Sequence, residues 1–328
     1  MKRTISNVGN GIVFVASSFV LIAVLLIAGL LTLPDVGVLE KCFTTTMYEV
    51  RLCPDSKDYV PLKSISPYVL HAVIAAEDGA FYSHKGFDWH EMQESFETNL
   101  KRGHISRGGS TLTQQLAKNA FLGKEKSLWR KLKEAYLAHA IENRYKKDFI
   151  LEKYLNVVEL GPDIYGVKPA ALKYFQKSPS ELHPLEAAYL AFLLPNPKLY
   201  SQSFKKGSLT PFATKMLKII LQRMHQFGKL TPAAYKTAIA HLSEFPWRGL
   251  SIDSFDGRPS HDLEAPFVPN TSLDIDENTL EELIDENERT NASPVKGVTT
   301  KNIPVIENEP PPNPEPSEPT APPADLEN

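Results

Sequence analysis

Residues Gly11 to Leu33, GIVFVASSFVLIAVLLIAGLLTL, carry no charged side chain. As a helix rising 1.5 Å per residue, a run of this length spans ~34 Å, enough to cross the hydrocarbon core of a bilayer. So apolar a segment fixes the topology of everything that follows it. A cleaved signal peptide is the competing reading, but the run is long for one and no small-x-small site follows it. A retained anchor is the better reading. Lys2 and Arg3 precede the run, which places residues 1–10 in the cytoplasm, 11–33 across the membrane as a single helix, and the chain after Pro34 outside.

Charge is distributed unevenly around the overall value of −3. From Ser251 onward there are 18 Asp and Glu against four Lys and Arg, so the preceding body is net basic. A basic body suits an anionic partner, whether nucleic acid, phospholipid or a phosphorylated substrate. Thirteen of the 26 prolines also lie beyond Ser251. Such a tail cannot bury enough apolar surface to fold and is expected to be disordered. The two cysteines, Cys42 and Cys53, fall just past the apolar run. On an oxidising side of the membrane they form a short disulfide loop or remain as two thiols, and spacing alone does not decide between them.

Between these segments the pattern is helical. SISPYVLHAVIAAED offers Ser66 as a cap, Pro67 at the first helical position, and Val69, Val73 and Ile74 as an apolar face. FDWHEMQESFETNLKRG has Asp88 and Glu91 as a capping pair and Gly103 as a stop. Five further helices follow, at SLWRKLKEAYLAHAIENRY, DFILEKYLNVV (with Asp148 as cap), PLEAAYLAFLL, TPFATKMLKIILQRMHQF and TPAAYKTAIAHL, with almost no period-two alternation. The expected organisation is a juxtamembrane segment over 34–60, a mainly α domain over 61–247, and an acidic Pro-rich tail over 248–328.

Three stretches carry chemistry. In EDGAFYSHKGFD, Glu77 and Asp78 end an apolar helix, ahead of Phe81, His84 and Gly86. A carboxylate leaving an apolar helix is partly desolvated, which raises its pKa and suits it to general-base work. Taken alone, such a pair is more often a solvated helix end. In RGGSTLTQQLAKNAF, Gly108 and Gly109 allow a sharp turn, Ser110 or Thr111 can cap, and Gln114, Gln115 and Lys118 follow. Backbone N–H groups, hydroxyls, amides and an ammonium at one helix start suit a phosphate. The stretch is not a Walker A loop, because no Gly-Lys-Ser/Thr follows the glycines. In RKLKE, Arg130, Lys131 and Glu134 lie one helical turn apart, an arrangement that intrahelical pairing alone would explain.

In their order and spacing, EDGAFYSHKGFD, GGSTLTQQLAKN, RKLKE, ILEKYLNVVELGPDIYGV and LEAAYLAFLLPNP make the chain resemble the peptidoglycan glycosyltransferases. The resemblance covers about Leu62 to Tyr200. It implies a lysozyme-like fold, with a mobile lobe near 89–107 that dips into the membrane. It implies polymerisation of lipid II into glycan strands, with inversion at the sugar carbon. Glu77 matches the general base and Glu134 the second glutamate, which acts on the pyrophosphate directly or through a divalent cation such as Mg2+ or Mn2+. Ser110, Thr111, Gln114, Gln115, Lys118, Lys126, Arg130 and Lys131 match substrate-binding positions, and Asp78, Phe81, His84 and Gly86 supporting ones. The implied partners are lipid II, the growing lipid-linked strand, membrane lipid and other cell-wall synthesis or division proteins, not nucleic acid. The implied location is the bacterial cytoplasmic membrane with the catalytic domain outside. Gly79-Ala80, Lys126 and Gln176 depart from the family pattern, and Gln176 stands where a glycine is usual. No Lys-Thr-Gly follows Ser203-x-x-Lys206, so the form resembled is monofunctional. Two alternatives stay open: a lysozyme-like lytic enzyme, and an inactive membrane-tethered scaffold.

Overall fold

Pro67 opens the helix around which the domain is assembled, α1 (Pro67–Glu77). Ser66 stands at the cap position but does not cap, because its hydroxyl donates to the Leu182 carbonyl at 2.7 Å instead. Every residue from Pro67 to Ala75 is buried, so α1 is enclosed all round, not along one stripe. The computed structural model describes residues 17–21, 24, 28–29, 32–102 and 109–255. All of these belong to one unit, Met1–Asn287; the second unit, Glu288–Asn328, lies outside the described residues.

The described chain is mainly α. Two short antiparallel pairs interrupt it: β1 (Phe43–Thr44) with β2 (Arg51–Leu52), and β3 (Glu159–Gly161) with β4 (Ile164–Tyr165). The helices after α1 are α2 (Trp89–Arg102), α3 (Leu112–Phe121), α4 (Leu128–Arg144), α5 (Lys147–Val157), α6 (Val167–Phe175), α7 (Pro184–Leu193), α8 (Pro197–Tyr200), α9 (Gln202–Lys206), α10 (Pro211–Gln226) and α11 (Pro232–His241). All ten residues of α7 are buried; it packs on α1, and both pack on α10. A second layer forms where α3 packs against both α4 and α5.

Several caps fall where the sequence places them. Asp88 Oδ1 accepts from the Glu91 N–H at 3.0 Å, while the stop expected at Gly103 lies outside the described residues. Asp148 is a correction. The cap position of α5 is Lys146, and Asp148, in the first turn, accepts from the Tyr82 hydroxyl at 2.8 Å. Its charge still faces the favourable end of the helix dipole. Gln176 ends α6 with φ +56°, the left-handed conformation that a glycine takes without strain. Cys42 and Cys53 form a disulfide across the β1–β2 pair.

Packing continues past the expected boundary at Trp247. Phe255 is fully buried and its ring stacks on His183 at 4.9 Å, while Lys177 Nζ donates to the Leu250 carbonyl at 2.8 Å. Periodicity stops at α11, but an irregular strap with two apolar anchors, Ile252 and Phe255, still belongs to the core. Most of the apolar run over 11–33 lies outside the described residues. Among the described residues no helix is long and apolar enough to cross a membrane.

Candidate active site

Glu77 and Asp78 are neighbours in sequence and part company in space. Asp78 is buried, and its Oδ2 accepts from the Leu112 N–H at 2.9 Å, one of the backbone donors left open at the start of α3. Its Oδ1 lies 2.8 Å from His84 Nε2, and the Gly86 N–H donates to His84 Nδ1 at 3.2 Å. Nδ1 is thus the acceptor, and Nε2 carries the proton donated to Asp78. The Thr111 hydroxyl closes the circuit on the Gly86 carbonyl at 2.8 Å. Gly86 has φ +91°, and a Cβ there would sit 3.2 Å from Glu142 Cγ. Phe81 is fully buried beneath this loop. Asp78, Phe81, His84 and Gly86 therefore fasten the end of α1 to the start of α3.

The polar start of α3 divides into two faces. Thr111 and Gln114 form a reciprocal capping box: the Thr111 N–H donates to Gln114 Oε1 at 3.0 Å and the Gln114 N–H to Thr111 Oγ1 at 3.2 Å. Both are buried, as is Thr113, which donates to Glu142. Gln115 and Lys118, one turn apart, face Glu77. Gln115 Nε2 donates to Glu77 Oε2 at 2.8 Å, and the Tyr154 hydroxyl donates to Gln115 Oε1 at 3.0 Å. Burial pushes the Glu77 carboxyl above its ordinary value; the Gln115 hydrogen bond and the Lys118 charge oppose that rise, and Asp78 adds to it.

The cationic side is built on α4. Glu134 is only 3% exposed and is paired with Lys131 and with Arg130 Nη1, the latter at 3.9 Å. Lys131 Nζ also donates to Ser110 Oγ at 2.8 Å. Burial draws the Lys118 ammonium below its ordinary value, most strongly opposed by the charge of Glu134, with a smaller opposing pull from Glu77. Lys118 thus lies in the field of both glutamates. Arg130 Nε is buried with no hydrogen-bond partner, a donor left over for an anion. Lys126 is exposed in the loop between α3 and α4, and no hydrogen bond or ion pair joins it to this cluster.

The donor set does not fit a protein-held divalent cation at Glu134, because that carboxylate is already paired with two cations. Among the described residues, the grouping whose ligand atoms lie within 4.8 Å of one another is Cys42, Cys53 and Asp55, and its two sulfurs are committed to the disulfide.

Glu77, with Lys118 in its field, and the Arg130–Lys131–Glu134 cluster of α4 with its unused guanidinium N–H combine a base with an anion site. Residues 45–225, more than half of the chain, match the family described as Transglycosylase. The chain belongs to the transglycosylase family. Similar proteins include the biosynthetic peptidoglycan transglycosylases of Nitrosospira multiformis, 43% identical over 166 residues (51% of this chain, 70% of that protein), and Aromatoleum aromaticum, 49% over 147 residues (45% and 64%). That of Bdellovibrio bacteriovorus is 40% identical over 189 residues (58% and 71%). The chain thus spans about two thirds of the length of these relatives. Within the matched segment, Tyr154 is a residue of the site that the sequence does not single out. The available signal was its position on a helix that packs against α3, where the phenol reaches Gln115.

Proposed function

We propose that this transglycosylase domain, lysozyme-like in arrangement, polymerises lipid II into β-1,4-linked glycan strands. Glu77 removes the proton from the acceptor sugar hydroxyl. That oxygen attacks the anomeric carbon of the donor with inversion, and the lipid pyrophosphate leaves. Lys118, Arg130 and Lys131 meet the charge on the departing pyrophosphate, with Ser110 held beside them by Lys131. Glu134 keeps Lys131 and Arg130 oriented by pairing with both. The observation that carries this reading is that one helix, α3, joins the two groups: Gln115, one turn from Lys118, binds Glu77, and Ser110 at its start is bound by Lys131 of α4.

The apolar run over 11–33 serves as a single-pass anchor in the bacterial cytoplasmic membrane, with the catalytic domain outside. The exposed Trp89, Phe96 and Leu100 of α2 form an apolar edge suited to lipid. The deciding experiment measures glycan polymer formed from lipid II by the full chain. Near wild-type polymerisation by folded Glu77→Gln would overturn the assignment of the base, and cleavage of preformed glycan in its place would favour a lytic enzyme.

A further inference from the structure

A chain of hydrogen bonds ends on Glu77. The Tyr154 hydroxyl donates to Gln115 Oε1 at 3.0 Å, and Gln115 Nε2 donates to Glu77 Oε2 at 2.8 Å. Each member constrains the next, because a carboxylate can only accept, while a primary amide carries its acceptor and its donors on opposite arms. Half a turn of the Gln115 amide would bring Oε1 to Glu77 and Nε2 to Tyr154. Oxygen would then face oxygen at a charged Glu77, and the Tyr154 O–H would lose the acceptor it now uses. Tyr154 is fully buried, where an unpaired O–H is costly. Burial, and after it the charge of Glu77, hold the Tyr154 phenol well above its ordinary value, so it stays protonated and remains a donor.

The phenol is fixed from the far side of its helix. Residues two apart on a helix point to nearly opposite faces, so Glu152 and Asn156 turn away from Tyr154. There they grip the segment that precedes α1. Asn156 Oδ1 accepts from the Val60 N–H at 2.8 Å, and Asn156 Nδ2 donates to the Val60 carbonyl at 2.9 Å. Glu152 Oε2 accepts from the Leu62 N–H at 2.7 Å. These contacts set the rotation of α5 and, with it, the position of the Tyr154 hydroxyl against α3.

We propose that Tyr154 is a positioning residue for Glu77: by donating to Gln115 Oε1 it fixes the turn of the amide, so that an N–H and never the amide oxygen meets the base. A carboxylate met by an N–H is favoured in its charged form. With the hydroxyl gone, a protonated Glu77 can turn the amide and donate to Oε1, a pairing that favours the neutral acid. The charges around this end of α1 stay as they are. They are Lys118 on α3, Asp78 next in the chain, and Arg223 of α10, which donates to the Ala75 carbonyl at 3.5 Å. Glu134 of α4 acts at one remove, through Lys118. The role rests on the reading of Glu77 as the base, and Tyr154 acts on it through Gln115.

The test uses the full chain in detergent, with lipid II as substrate. Tyr154→Phe removes only the hydroxyl. Its kcat near neutral pH is expected to fall roughly fivefold with KM little changed, and the acid limb of its rate profile to move to higher pH. Tyr154→Met also lacks the hydroxyl but packs differently, and it is expected to move the limb in the same direction. In a Gln115→Leu background, Tyr154→Phe is expected to change neither limb nor rate. Carbon-13 NMR of the glutamate-labelled chain, with the Glu77 carboxyl identified by its loss in Glu77→Gln, is expected to show that carboxyl titrating at higher pH in Tyr154→Phe. A carboxyl titration unmoved in folded Tyr154→Phe would overturn the role, as would a full-sized effect of Tyr154→Phe in the Gln115→Leu background. A carboxyl titration that moves while the rate profile stays put would instead show that Glu77 is not the base.

Discussion

Gln115 Nε2 donates to Glu77 Oε2 at 2.8 Å, and this bond holds the proposed base in its charged form against the push of burial. Gln115→Leu removes the donor and keeps the bulk. The Glu77 pKa then moves further up, because a hydrogen bond to the charged form favours that form. Activity that needs the carboxylate rises with pH through this pKa. The acid limb of the rate profile is therefore expected to shift to higher pH, with the rate partly recovered in alkaline buffer. An unshifted limb measured across the pH range would separate the titrating group from Glu77.

Glu77→Gln is expected to abolish most polymerisation while stabilising the fold. The folded pKa of Glu77 lies above its ordinary value of 4.5. The native state therefore binds the proton more tightly than the unfolded chain does, and its stability contribution is full below the unfolded pKa and lost as pH rises through the folded one. Glutamine removes the cost of the buried charge. Melting scans should show a gain near neutral pH that disappears in acid, where the Glu77 carboxyl is protonated. Loss of rate on the order of 10²–10⁴ is expected alongside. A destabilised variant at neutral pH would point to a structural role instead.

Much of this site is legible in the sequence because helical spacing is strict. Pro67 marks the start of α1, Ser110 or Thr111 offers a cap for α3, of which the fold uses Thr111, and Arg130, Lys131 and Glu134 share one turn. The polar block misleads where it is treated as a unit. Thr111, Thr113 and Gln114 are consumed inside the protein, and only Gln115 and Lys118 face Glu77. Asp78 shows the same limit: adjacency to Glu77 says nothing of direction, and its oxygens are spent on His84 and the Leu112 N–H. The Tyr154–Gln115 bond joins two helices through residues 39 apart in the chain, a pairing that helical periodicity does not announce.

Lys118→Met tests the anion site. The substitution keeps an apolar stem and deletes the charge that faces both glutamates. Loss of a charge-assisted contact costs about 1.5–3 kcal/mol, so apparent affinity for lipid II should fall about tenfold to a hundredfold. Stability should hold or rise, because burial disfavours the Lys118 ammonium. Binding isotherms and melting scans on the same preparation check both halves; unchanged affinity would remove Lys118 from the site.

The strap after Trp247 should separate folding from tail function. Phe255 is fully buried on His183, its carbonyl accepts from the Tyr68 hydroxyl at 3.3 Å, and Tyr68 belongs to the first turn of α1. The strap thus clamps the end of α1 opposite Glu77. Phe255→Ala should cost about 3–5 kcal/mol, the usual range for truncating a buried phenylalanine. A chain ended after Trp247 should lose at least as much, since it also loses Ile252 and the Leu250 carbonyl that Lys177 binds. A chain ended just beyond Phe255 should melt with the full-length protein and polymerise lipid II at a comparable rate, because the proposed machinery lies within 77–154. Denaturant melts of the three chains, with polymer yield measured beside them, give the comparison. Equal stability of the chain ended after Trp247 and the full-length protein would show that the strap contributes nothing to the core.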